Sequence, residues 1–118
     1  MNKKQCGFEK EKLAEEFLKR NDVIILDRNY SSRFGEIDII GIKDDFLCFF
    51  EVKYRKNELY GYPEEAISKT KMLKICKTAS FYLAEHKNLY RYQIRFDVIS
   101  ILGEKIKWIK SAFDYQQI

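Results

Sequence analysis

Polar and apolar positions along the chain follow two rhythms, and the switch between them predicts the order of elements. Between residues 8 and 21 the spacing is helical: Leu13, Ala14, Phe17 and Leu18 fall on one arc among charged neighbours. "VIILDRNY" (23–30) is apolar and β-branched enough for a strand. "GEIDIIGI" (35–42) and "FLCFFEVKY" (46–54) predict two more strands around the turn residues Lys43, Asp44 and Asp45. In the loop "RKNELYGYP" (55–63), Gly61 and Pro63 act as breakers. Ser68 is placed to cap a long helix reaching about His86, with Met72, Ile75, Cys76, Ala79 and Leu83 as its buried stripe. "YRYQIRFDVISIL" (90–102) alternates as a strand, and Gly103-Glu104 turns it into "KIKWI". The order α-β-β-β-α-β-β predicts one α/β domain over residues 1–118, a mixed sheet flanked by helices.

Composition narrows the class. Of the 118 residues 46% are hydrophobic, enough for a single core, and 34% are charged. No window approaches the roughly 18–20 apolar residues of a membrane span. The N-terminus has no apolar stretch of the kind that directs secretion, so a cytoplasmic protein is expected. Cys6, Cys48 and Cys76 are far apart and odd in number, which predicts free thiols rather than disulfides or a zinc site. The net charge of +4 permits a polyanionic partner. The charge is uneven: Lys53 to Lys77 holds seven basic residues against three acidic ones. An ordinary solvated helix face accounts for that excess as readily as a binding surface.

The chemistry gathers where a core should form. A hairpin centred on Asp44-Asp45 with an even-numbered loop pairs residues whose numbers sum to 89. Asp38 is then expected opposite Glu51 and Glu36 opposite Lys53, with all four on one face of the sheet. Facing carboxylates repel, and burial makes the repulsion worse. A divalent cation between Asp38 and Glu51 resolves the conflict, with the Val52 carbonyl and waters completing a Mg²⁺ shell; Mn²⁺ is also admitted. Such a site suits phosphodiester hydrolysis, with Lys53 beside the attacking water. The E-x-K spacing puts carboxylate and amine on one strand face, about 7 Å apart. Glu36 has two roles open to it: support behind the metal ligands, or a partner for Lys53.

Taken in order, "GEIDII", "FFEVKYR", "GYPEEAI", "RFDVISI" and "IKWIKSAF" resemble the YraN-type family of small bacterial proteins. That family is grouped with the restriction-endonuclease-like PD-(D/E)xK nucleases and is more distantly similar to archaeal Holliday-junction resolvases. The likeness runs from about Gly7 to Phe113. It implies a restriction-endonuclease-like core, with Asp38, Glu51 and Lys53 in the places of the motif's Asp, Asp/Glu and Lys. It also implies that Glu11, in "EKEKLAEEFL", lies near the metal; the helical arc alone leaves Glu11 inward-facing or solvated. There are departures. Ile37 stands in place of the motif's Pro, Lys10 in place of a small Gly before the helix Glu, and Asp22 in place of the Gly that ends that helix.

On such a fold the long helix packs near the hairpin, where Lys71 and Lys74 either meet phosphates or remain solvated. Tyr54, Arg55, Lys56, Tyr60 and Tyr62 interleave cations and aromatics, a composition that fits backbone contact with stacking on an unpaired strand. Tyrosines packing a loop onto the body explain it too. Arg95 and Asp97 share a strand face and read as a structural ion pair or as sheet-edge contacts. The leading expectation is a metal-dependent endonuclease acting on DNA. The alternative is a non-catalytic nucleic-acid-binding protein of the same fold. One site per domain makes a homodimer the expected arrangement for cutting two strands.

Overall fold

Apolar runs as continuous as "FLCFF" form strands that need cover on both faces of a sheet, and two helices supply it. In a computed structural model, helix α1 (Lys3–Arg20) precedes strands β1 (Ile24–Ser32), β2 (Gly35–Lys43) and β3 (Phe46–Arg55). Helix α2 (Lys69–Glu85), a 3₁₀ turn (Lys87–Leu89) and strands β4 (Gln93–Leu102) and β5 (Lys105–Phe113) complete the order. The structure describes residues 3–57, 59, 61–62 and 67–115. The sheet is mixed, in the order β1-β2-β3-β4-β5; β3 and β4 run parallel and every other pair is antiparallel. The expected α/β order is therefore the one observed.

A hydrophobic cluster lies under each helix. Ala14 and Leu18 of α1 pack with Val23, Ile39, Cys48, Phe50, Ile99 and Ile101. Ile75, Cys76, Ala79 and Tyr82 of α2 pack on the other face with Ile37, Ile40, Leu47, Phe49 and Phe96. Ser68 caps α2 as expected, its hydroxyl accepting from the Lys71 N–H at 3.1 Å. β4 starts later than its alternation suggested, because Tyr90 and Arg91 form a turn; Tyr92 N–H donates to Leu89 O at 3.1 Å. Cys6, Cys48 and Cys76 are free thiols. Among the described residues no helix is long and apolar enough to cross a membrane.

Asp22 ends α1 with the geometry a glycine would adopt. Its φ is 64°, its N–H donates to Lys19 O at 3.2 Å, and Val23 N–H reaches Leu18 O at 3.0 Å. Those paired bonds are a Schellman closure, and Val23 and Leu18 seal it in the α1 cluster. The departure at Asp22 thus leaves the helix end intact, with a side chain in a left-handed position that favours glycine. Asp22→Gly is expected to raise stability by about 1 kcal/mol in urea denaturation; an unchanged midpoint contradicts this.

Of the two readings open for Arg95 and Asp97, the structure shows the ion pair. Asp97 is 0% exposed. Arg95 Nε and Nη2 donate to it at 2.9–3.1 Å, Trp108 Nε1 at 2.9 Å and the Ser111 N–H at 2.9 Å. The carboxylate spans a shift in the β4–β5 register between Phe96 and Val98 and ties the two strands across it. Asp97→Ala strands a half-buried guanidinium and is expected to lose about 3–5 kcal/mol of unfolding free energy. A loss below about 1 kcal/mol contradicts that role.

Candidate metal and nucleic-acid site

The site lies where two strands part. β2 and β3 pair from Lys43↔Phe46 to Ile39↔Phe50, in the register expected from the Asp44-Asp45 turn. Beyond that point β2 continues with β1 as far as Gly35↔Ser32, and β3 continues with β4 as far as Arg55↔Leu102. Neither expected pairing, Asp38 with Glu51 or Glu36 with Lys53, is therefore part of the ladder: on their other edges Glu36 lies opposite Ser31, Glu51 opposite Val98 and Lys53 opposite Ser100. Side-chain alternation also breaks. Ile37 packs in the α2 cluster and Ile39 in the α1 cluster, although two residues apart on a strand they should share a face. Asp38, between them, borders clefts on both sides and accepts the Val52 N–H through Oδ2 at 2.8 Å. A side chain has taken over a bond that the ladder would have made.

Asp38 and Glu51 line the same cleft, of about 470 Å³, with Lys71 and Lys74 of α2 and Phe34 of the β1–β2 turn. Glu51 is 5% exposed. Its Oε1 lies 3.0 Å from Lys71 Nζ and 3.4 Å from Lys53 Nζ. Its Oε2 is buried and has no hydrogen-bond partner. Lys53 has its pKa lowered, first by burial and then by the adjacent Lys71, against the pull of Glu51. For Lys71 burial acts downward, but contact with Lys53, Glu51 and Asp38 outweighs it and raises the pKa. The deeper lysine is thus the readier to be neutral, and the outer one holds its charge. Lys71 bonds a site carboxylate directly, more than its place at the edge of the apolar stripe indicated.

The other expected residues divide. Glu11 turns toward the site from α1; burial and then Glu36 and Glu51 raise its pKa, while Asn29 lowers it. With its amide nitrogen turned toward them, Asn29 donates to Glu11 Oε1 at 2.7 Å and to Glu36 Oε1 at 2.9 Å. Glu36 is thereby held with Glu11 rather than with Lys53, so the four hairpin residues do not act as one square. Asn29 escaped the sequence reading, although an Asn within a strand marks a position tolerant of left-handed backbone, and its φ is 50°. Arg55 does not border the cleft; its Nη1 donates to Tyr54 O at 3.4 Å. Lys56 lines a separate depression with Lys105. Tyr60 lies outside the described residues.

The donor set is all oxygen, which fits a hard divalent cation such as Mg²⁺ or Mn²⁺. The buried, unpartnered Oε2 of Glu51, a residue that shares the cleft with Asp38, is the observation that favours one there. Among the described residues no three Asp, Glu, His or Cys side chains form a ready-made cage. Two carboxylates would leave the remaining positions to backbone, water or substrate.

Fold and cleft together define a small α/β protein with a paired-carboxylate, paired-lysine site at a fork in its sheet. Residues 10–101 match the family model described as "Uncharacterised protein family UPF0102". The chain belongs to that family, the YraN-type proteins whose likeness its motifs carry. It is 45% identical over 111 residues to UPF0102 protein FN1370 of Fusobacterium nucleatum, covering 94% of this chain and 92% of that one. It is 47% identical over 116 residues to a UPF0102 protein of Clostridium tetani, covering 93% and 94%. For a UPF0102 protein of Vibrio parahaemolyticus the identity is 42% over 113 residues, covering 94% and 93%.

Asp38 carries the strain of this arrangement. Burial first, and then the charges of Glu51 and Glu11, push its pKa from 3.8 to about 8, against the Val52 hydrogen bond and Lys71. Between about pH 4 and 8 the folded protein holds a proton that the unfolded chain releases, so this group's contribution to stability falls as pH rises. Asp38→Asn keeps an acceptor for Val52 and removes the charge. In metal-free buffer its melting temperature is expected to fall less than that of wild type between about pH 5 and 8. Parallel profiles contradict the assignment.

Proposed function

We propose that this protein is a metal-dependent endonuclease that hydrolyses DNA phosphodiester bonds at the fork between β2 and β3. Support comes chiefly from one observation: Glu51, which lines the same cleft as Asp38, has Oε2 buried without a partner while its Oε1 is held by two lysines. Asp38 and Glu51, with the Val52 carbonyl, would hold Mg²⁺ or Mn²⁺. A divalent cation there supplies Lewis-acid polarisation of the phosphate and a lowered pKa for the attacking water.

The chain's own residues do the rest. Lys53, half-buried and 3.4 Å from Glu51 Oε1, stands beside the attacking water and orients it as its oxygen attacks phosphorus and its proton passes to solvent. The opposite P–O bond breaks and its leaving oxygen takes a proton from solvent, leaving one phosphate end and one hydroxyl end. Lys71, still charged, offsets the negative charge that builds on the phosphate oxygens. Glu11 and Glu36, bridged by Asn29, form an acidic wall behind Asp38 that keeps the site attractive to a cation. A homodimer, with one site per subunit, would let two strands be cut together.

Duplex, single-stranded, flapped and four-way-junction DNA incubated with Mg²⁺ or Mn²⁺ tests this reading. Wild type is expected to cut at least one of them, and Glu51→Gln to cut about 10³-fold more slowly or not at all, the scale on which loss of one electrostatic stabiliser acts. Binding without cleavage by wild type in every metal condition would contradict the endonuclease and favour a non-catalytic nucleic-acid-binding protein.

A further inference from the structure

The β1–β2 hairpin turns at Arg33-Phe34, and this turn is braced on α2. Ser32 Oγ lies 2.8 Å from Thr78 Oγ1, and Phe34 N–H donates to Ser32 Oγ at 3.1 Å. Gly35 lies against the helix: a Cβ there would be in ordinary contact with Lys74 Cβ, at 3.5 Å. The bracing sets the Phe34 ring against Phe81, with centroids 5.8 Å apart and planes 17° from parallel. Lys77 Nζ is 4.2 Å and the Arg33 guanidinium carbon 4.9 Å from the centre of the Phe34 ring. Core packing does not account for the pair, because Phe81 stays 41% exposed and Phe34 is only partly buried.

The position of the pair gives it a use. Phe34 is part of the wall of the cleft that contains Asp38 and Glu51. Along α2, Lys69, Lys71, Lys74 and Lys77 meet no acidic residue of the helix before Glu85. Lys71 and Lys74 border the cleft, and Lys77 stands over Phe34. A row of cations therefore runs from the carboxylates to a pair of rigid, solvent-facing rings. Cations spaced along a lane with aromatic faces at its end match a nucleic-acid strand whose bases are free to stack. Duplex bases are already stacked on one another and present no free face.

Resting on the endonuclease reading, we propose that Phe34 and Phe81 form a stacking platform for unpaired bases, and that the substrate is DNA with a single-stranded segment beside the bond that is cut. The open face of Phe81 receives a base, Lys77 and Arg33 neutralise neighbouring phosphates, and Lys74 carries the backbone toward Lys71 and the carboxylates. Stacking of this kind is tolerant of sequence, since every base has a π-face.

Metal-free protein and fluorescein-labelled DNA of about 15 nucleotides, single-stranded or duplex, give the test by anisotropy. Phe34→Ala and Phe81→Ala are each expected to weaken single-strand binding about tenfold and duplex binding less than about twofold. Lys77→Ala is expected to lower the salt slope for single strands by about 0.7. Phe34→Trp retains affinity, and its added indole emission, above that of Trp108, is quenched by the oligonucleotide; this variant shows that a large ring suffices and that the hairpin folds. The proposal is overturned if both alanine variants bind like wild type, if single strand and duplex weaken equally, or if wild type binds no oligonucleotide. Selective loss of single-strand binding in a protein that cuts nothing with metal sinks the endonuclease reading and leaves the platform standing.

Discussion

Antiparallel strands stay together because their backbone donors and acceptors answer one another, and this molecule stops that exchange in the middle of its sheet. After Ile39↔Phe50 the ladder between β2 and β3 ends, and the Asp38 carboxylate takes the Val52 N–H in place of a carbonyl. The site depends on that substitution. It holds Asp38 in the opening, sets Glu51 next to it in a shared cleft, and lets α1 and α2 approach from opposite sides with Glu11 and Lys71. Two acids in a partly buried fork repel, and the two lysines compensate only one oxygen of Glu51. The remaining imbalance is what a small, doubly charged cation would correct.

Much of this was legible in the sequence, for physical reasons that can be named. The hairpin register followed from the two-residue turn and held from Lys43 to Ile39, because a tight turn leaves no freedom in pairing. It failed beyond Ile39↔Phe50, at Asp38–Glu51 and Glu36–Lys53, where the two strands part and each keeps only its outer neighbour. Local alternation carries no information about where a ladder stops. The parallel pairing of β3 with β4 was equally hidden, since it depends on how α2 crosses the sheet. Asp22 shows the converse: a departure in residue type left the helix end unchanged, because the Schellman bonds and the Val23–Leu18 contact determine it.

Lys71, Asn29 and Phe34 stand at different distances from the sequence signal. Lys71 was placed by helical spacing, yet its bond to Glu51 required the tertiary fold. Asn29 joins two carboxylates from separate elements, and neither was predictable as its neighbour. Phe34 reads only as an aromatic residue in a turn until Thr78, Lys74 and Phe81 are seen beneath it. By contrast Asp97, at the opposite extreme of satisfaction, shows how this protein treats a buried acid that has only structural work. It is bonded by a guanidinium, an indole and a backbone amide. The open Oε2 of Glu51 differs in kind.

The most direct measurement is anomalous diffraction from crystals soaked in Mn²⁺. If the fork is a cation site, one manganese peak lies between Asp38 and Glu51, in contact with Oε2. A map with no peak there, in which Oε2 has instead been taken up by a lysine, would contradict the central claim.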